Sequence, residues 1–305
     1  MLALWLPWLE VLTQAAEPVL PLRTNDVIAF IGGANMVALA QGGHLETLLT
    51  LQHPHHKLRV RSLAWEGDTV FAQPRDVNYP DLVTQLKQVG ATVVLLHFGQ
   101  MEAFAGTAGL TNFVSAYERL LDEVGRVTKR QILLGPFPRD LFPDCCDSAE
   151  VAFRYAESVR ALAKRRSVPF ADPFGDHVDF GKENNHWTTD RMALSEAGLA
   201  LAAGLIYREV AGLSSPVNLE APMPLPTELR SAIAEKNRLW FDYARPSNWA
   251  FLAGDRTGQA FSRDYRDRNI RAFAQEMQQF VPLIAGAEKR IDELAAKSAE
   301  KESAR

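Results

Sequence analysis

Apolar residues run unbroken from Val27 to Ile31, stop at Gly32 and Gly33, and resume from Asn35 at helical spacing with Met36, Val37, Leu39 and Ala40. The unbroken run predicts a strand buried on both faces, and the change of period predicts a helix beginning just after a glycine turn. The same alternation repeats along the chain. A helix over about 35–52 leads through the turn 52–57 to a second strand, Leu58 to Leu63, in which apolar and polar residues alternate. A helix follows over 80–89, then the most hydrophobic run of the chain, 91–96, which reads as a central parallel strand. Further elements are helix 109–124, strand 131–134, helix 148–164 with Ser148 as its cap, strand 168–171 and a closing helix over 194–210. Strands alternating with helices of about ten residues or more predict a five-stranded parallel sheet with helices on both faces.

Beyond residue 213 the pattern changes. Residues 214–227 carry Pro216, Pro222, Pro224 and Pro226 and read as a linker. Residues 228–243 are predicted helical, 245–267 irregular, and 270–296 one long helix with Phe273, Met277, Phe280, Ile284, Ile291 and Leu294 apolar. The expected organisation is an apolar N-terminal segment (1–25), an α/β domain (26–213), the linker (214–227) and a C-terminal helical arm (228–305). The arm packs back on the domain or pairs with a protein partner or a second copy; an apolar stripe alone does not decide which.

Composition narrows the function classes. The chain has 305 residues, 47% hydrophobic and 23% charged, with net charge −4. It shows no basic footprint for nucleic acid. Cys145 and Cys146 are adjacent, so they staple no distant segments and match no zinc spacing. His53, His55 and His56 lie in one turn without a carboxylate or cysteine at ligand spacing, so the turn reads as an exposed loop; no metal and no cofactor is expected. Residues 2–12 are apolar but too short to span a bilayer, and Pro7 and Glu10 interrupt them. They read either as a secretion signal without its basic start or as a segment packed on the domain, so secreted, periplasmic and cytoplasmic locations stay open.

The strand, glycine turn and helix at 26–37 would place one side chain at the carboxyl edge of a parallel sheet, where open α/β folds bind ligands. A hydrolase built this way carries its nucleophile one or two residues after the first glycine. Those residues are Gly33 and Ala34, and neither can attack.

Four strand ends resemble the blocks of the SGNH (GDSL-like) esterase and lipase superfamily. They are Phe30-Ile31-Gly32; Trp65-Glu66-Gly67-Asp68-Thr69-Val70; Phe98-Gly99 with Glu102 and Phe104-Ala105-Gly106; and Asp190 followed by Leu194-Ser195-Glu196-Ala197-Gly198. The likeness spans about residues 26–210, and the segment from Arg245 to Gln259 looks like the C-terminal extension of one bacterial subgroup. The resemblance implies a flavodoxin-like three-layer α/β/α fold. It also implies a Ser nucleophile, a Gly and an Asn donating to an oxyanion, and an Asp and His as orienting acid and base.

This chain departs from that pattern. The Ser position holds Ala34, the Asn position Met101 and the His position Ala193; only Gly67 and Asp190 remain. Alanine supplies neither nucleophile nor base, and methionine donates no hydrogen bond to an oxyanion. In serine hydrolases, loss of the nucleophile alone costs on the order of 10⁶ in turnover.

The expectation is a non-catalytic SGNH-like protein that binds a small molecule or carbohydrate, or acts as a scaffold. Gly33, Asn35, Asp68, Gln100, Glu102 and His186 are the candidate pocket-lining residues. Asn184, Asn185, His186 and Trp187 form a loop over the predicted pocket mouth. His97 reads as a satisfied core histidine. Two alternatives stand beside this: an active esterase with a relocated site on Glu102, His186 or Asp190, and a structural subunit whose cleft is filled by Met36 and Met101.

Overall fold

The computed structural model describes residues 20–137, 148–172, 187–190, 192–211 and 225–303. Five strands, β1 (Val27–Gly32), β2 (Arg59–Ser62), β3 (Val93–His97), β4 (Gln131–Leu134) and β5 (Phe170–Ala171), form one all-parallel sheet in the order β2-β1-β3-β4-β5. This is the flavodoxin-like order, with its switch point between β1 and β3. The register pairs Ile28 with both Val60 and Val93, and Gly32 with His97.

Strand periodicity divides the core into two layers. Ile28, Phe30, Val93, Leu95, Ile132 and Leu134 face one layer, against α1 (Ala34–Gly42), α2 (His44–Gln52) and α6 (Glu196–Ala211). Ala29, Ile31, Val94, Leu96 and Leu133 face the other, against α3 (Leu82–Gln88), α4 (Leu110–Val124) and α5 (Ser148–Arg166). Both faces of β1, β3 and β4 are therefore buried, which is why these strands read as continuous apolar runs.

The expected strand 168–171 keeps only Phe170–Ala171, the expected helix 80–89 is Leu82–Gln88 capped by Asp81, and Ser148, expected as a cap, is the first residue of its helix; three further differences have a visible cause. The expected helix over 35–52 is two helices, because Gly43 adopts φ 69° between them. A side chain at Gly43 would also meet Ile233 Cγ2 at 2.9 Å. The closing helix begins at Glu196, where the Ser195 hydroxyl accepts from Gly198 N at 3.1 Å as an N-cap. The long C-terminal helix divides at Gln279 into α9 (Ala272–Gln278) and α10 (Phe280–Ser303). Pro282 has no N–H to return to the carbonyl four residues earlier, and its ring crowds that carbonyl.

The arm folds back on the domain through α7 (Thr227–Ala244) and α10. Lys236 is fully buried and reaches Glu46 at 2.7 Å, while Asn237 Nδ2 donates to Ala40 O at 2.7 Å and to Glu46 at 3.0 Å. Trp240 Nε1 donates to Ser62 O at 2.9 Å. Arg59 and Arg61, on one side of the edge strand β2, meet Asp292 (2.8 Å) and Glu288 (2.6 Å), one turn apart on α10. Ile284 and Ile291 of the apolar stripe are buried within the chain, whereas Val281 and Leu283 are exposed. After α7, Arg245 pairs with Glu66 and lies over the Trp65 ring at 4.4 Å, while Trp249, in α8 (Trp249–Leu252), packs on Tyr79.

Among the described residues no helix is long and apolar enough to cross a membrane, and no cluster of three or more His, Cys, Asp or Glu is placed to hold a metal. The vicinal cysteines, residues 1–19 and most of the linker lie outside the described residues.

Candidate functional site

A cleft of about 220 Å³ opens at the carboxyl ends of β1 and β3, at the topological switch point. The turn after β1 forms its first wall. Gly32 has φ 154°, and a Cβ there would lie 2.6 Å from the His97 carbonyl oxygen. At Gly33 a Cβ would sit 3.3 Å from Asp68 O, so the turn runs tightly against the loop after β2. Ala34 opens α1 and is exposed in the cleft; no side chain caps that helix.

Asn35 faces the same space, and its polar atoms are engaged. Its Nδ2 donates to Gln100 Oε1 (2.8 Å) and Met192 O (2.9 Å), and its Oδ1 accepts from Leu194 N (3.0 Å). Gln100 Nε2 adds a second donor to Met192 O at 2.9 Å. Together these side chains tie the first turn of α1, the loop after β3 and the approach to α6 into one unit.

The acidic residues are engaged as well. Glu102 is buried and accepts Val70 N through one oxygen and Gly99 N through the other, both at 2.8 Å. It braces the loops after β2 and β3 against each other. Asp68 is buried in a two-point pair with Arg75 at 2.6 and 2.8 Å, and also accepts from Trp65 N. Burial pushes the Asp68 carboxyl up, and Arg75 opposes that shift. Asp190 is exposed; its Oδ1 accepts Ala193 N (2.7 Å) and Met192 N (3.0 Å). Those backbone donors, Ala193 N first, hold the Asp190 carboxyl below its ordinary range. The turn is closed by a Thr188–Leu194 bridge and by Thr189 N donating to Ala193 O.

His97 lies beneath the cleft, buried and packed against the Phe137 ring in a tilted arrangement with centroids 4.1 Å apart. Its Nε2 accepts from Phe137 N at 3.0 Å, and burial drives its pKa down to about 3, so the ring is neutral.

The cleft thus brings together Gly33, Ala34, Asn35, Asp68, Gln100, Met101, Glu102, Asp190 and Ala193 from four segments of the sequence. Gly67 is not among the residues lining it, and a Cβ there would meet nothing within 4 Å. His186, with Asn184 and Asn185, lies outside the described residues. Met101 is 47% exposed at the rim, and Met36 is packed in the core, so neither fills the space. Phe98 and Met192 line the cleft and were absent from the sequence candidates, although Met192 lies inside the Asp190-to-Ala193 spacing. Arg75 carries no sequence signal beyond the need of a buried Asp68 for a cation.

No protein-family model matches the chain, and no curated protein matches it by sequence. Solved structures do resemble it. A gut microbial diltiazem-metabolizing enzyme superposes at TM-score 0.51 with 17% identity, over 64% of this chain and 48% of that one. This chain therefore spans about half the length of that enzyme. Two variant structures of an acetyl xylan esterase from Geobacillus stearothermophilus superpose at TM-score 0.50 with 16% identity, over 64% of this chain and 99% of theirs. At these identities the likeness shows a hydrolase-like α/β fold.

Proposed function

We propose that this protein is a non-catalytic member of the SGNH superfamily whose cleft binds a ligand without hydrolysing it. The observation that carries this reading is the chemistry of the elbow: the residue exposed in the cleft at the start of α1 is Ala34, and Ala193 stands at the position of the base. The residues that would have to replace them support the same reading. Both oxygens of Glu102 accept backbone N–H groups of the loops after β2 and β3, which supports a structural role for this carboxylate over that of a general base. Asp190 orients a backbone turn where the superfamily pattern has it orient an imidazole. The open cleft favours a binding role over a plugged structural subunit.

The test is hydrolysis of 4-nitrophenyl acetate and of an acetylated xyloside by the purified full chain, beside an Ala34→Ser, Ala193→His double variant. The wild type is expected to show no turnover above buffer, and the double variant measurable turnover of the aryl ester. Wild-type turnover that disappears in an Asp190→Asn, Glu102→Gln variant would sink the proposal.

A further inference from the structure

Resting on that binding role, we infer that the ligand is a compact apolar molecule, neutral or cationic, and that the cleft rejects sugars and anions. Three observations combine. The space is small: about 220 Å³, against the ~150 Å³ apolar cavity that suffices for benzene. It suits one or two fused rings or a short branched chain.

The polar side chains around that space already have protein partners. Asn35 and Gln100 satisfy each other and Met192 O; Glu102 serves two backbone N–H groups. A polyhydroxylated ligand would bring in several hydroxyl groups and find Asn35, Gln100 and Glu102 already engaged, with only the Asp190 carboxylate at the mouth left to accept, so most of its desolvation would go uncompensated. Ala34, Phe98, Met101 and Met192 offer it only apolar contact. Met101, 47% exposed at the rim, adds apolar surface at the mouth.

Charge supplies the third observation. No described residue lining the cleft is lysine or arginine, and His97 is neutral. Arg75 offsets Asp68 and two backbone N–H groups hold Glu102, which leaves the exposed Asp190 carboxylate as the negative group at the mouth without a cation among the described lining residues. A ligand carboxylate would meet like charge at the mouth, whereas an ammonium would meet Asp190.

The experiment is calorimetric titration of the full chain with 1-naphthylmethylamine, 1-naphthylmethanol, 1-naphthoate and an acetylated xyloside. The amine and the alcohol are expected to bind, the carboxylate roughly tenfold or more weakly, and the sugar not at all. Ala34→Trp should fill the cleft and abolish binding of the amine and the alcohol. Ala34 is exposed, so thermal unfolding should stay close to wild type; Ala34→Leu, with partial loss, serves if it does not. Asp190→Asn should bring 1-naphthoate closer to the alcohol. The inference is overturned if the sugar binds, if 1-naphthoate binds as tightly as the amine, if no naphthyl probe binds, or if Ala34→Trp leaves binding unchanged. These outcomes are separable from failure of the non-catalytic reading. Ester turnover by the wild type defeats that reading without touching apolar selectivity, and sugar binding without turnover defeats the selectivity alone.

Discussion

The cleft and the seam between β2 and the C-terminal arm both engage charged side chains, but they partner them differently. At the seam, charge meets charge across long stretches of sequence: Lys236 with Glu46, and Arg59 and Arg61 with Asp292 and Glu288. At the cleft, Glu102 and Asp190 meet backbone N–H groups of neighbouring loops, and Asn35 meets a carbonyl and an N–H. The seam groups hold two pieces of chain together. The cleft groups hold loop shape. Among the described residues of the cleft only Asp68, with Arg75, repeats the seam's arrangement, and it does so within a single loop.

The largest effect should come from the seam. Burial pushes the Lys236 ammonium down and Glu46 opposes that shift. Lys236→Met leaves Glu46 buried beside Asn237 without its cation, and should cost about 3–5 kcal/mol in urea unfolding. Adding Glu46→Leu removes the stranded charge and should recover most of that loss. A single variant as stable as the double would show that the pair does not couple the arm to the domain.

Acid comes next, acting beneath the cleft. His97 is neutral in the folded state, with a pKa of about 3 against an ordinary 6.5. The unfolded chain takes up the proton first as pH falls, so stability is intact above about 6.5 and is lost as pH falls toward 3. The slope is about 1.4 kcal/mol per pH unit, or about 3 kcal/mol by pH 4. His97→Gln keeps an acceptor for Phe137 N and should remove this component from the pH profile. An unchanged acid slope in that variant would reassign it to the carboxylates.

Glu102→Gln should cost less, roughly 1–3 kcal/mol, because an amide NH₂ must then face Val70 N or Gly99 N. Loss of stability with naphthyl binding weakened in proportion to unfolding marks a brace. Loss of binding at full stability would mark a ligand contact and break the contrast with the seam.

How much of this was legible in the sequence depends on whether the signal was local. The runs at 27–31 and 91–96 announced doubly buried strands, because both faces of β1 and β3 are covered. The glycine turn before Ala34 announced the elbow, because a Cβ at Gly32 would strike a neighbouring strand's carbonyl. The break at Gly43 was harder to see, since it answers to Ile233, almost two hundred residues away. The direction of Glu102 was invisible for the same reason. Nothing in Phe98-Gly99-Gln100-Met101-Glu102 says that its carboxylate reaches Val70 N. The arm's return to β2 also lay beyond the pattern, because an apolar stripe on a helix does not name its partner. Arg59 and Arg61 became informative only when Glu288 and Asp292 were found opposite them.

The smallest effect sharpens the cleft side of the comparison. Asp190 is exposed and joins two consecutive turn N–H groups through Oδ1. If its work is to hold that turn, Asp190→Asn should be nearly silent in stability, because an amide oxygen accepts the same bonds. Asp190→Ala removes the acceptor and should cost up to about 1 kcal/mol. It should also loosen the Thr188–Leu194 closure, read as faster amide exchange at Ala193 and Leu194. Equal effects of the two substitutions would mean that the negative charge, rather than the hydrogen-bond acceptor, holds the turn. The distinction reaches the ligand: a carboxylate that Asn replaces without structural cost is one whose charge remains available at the mouth of the cleft.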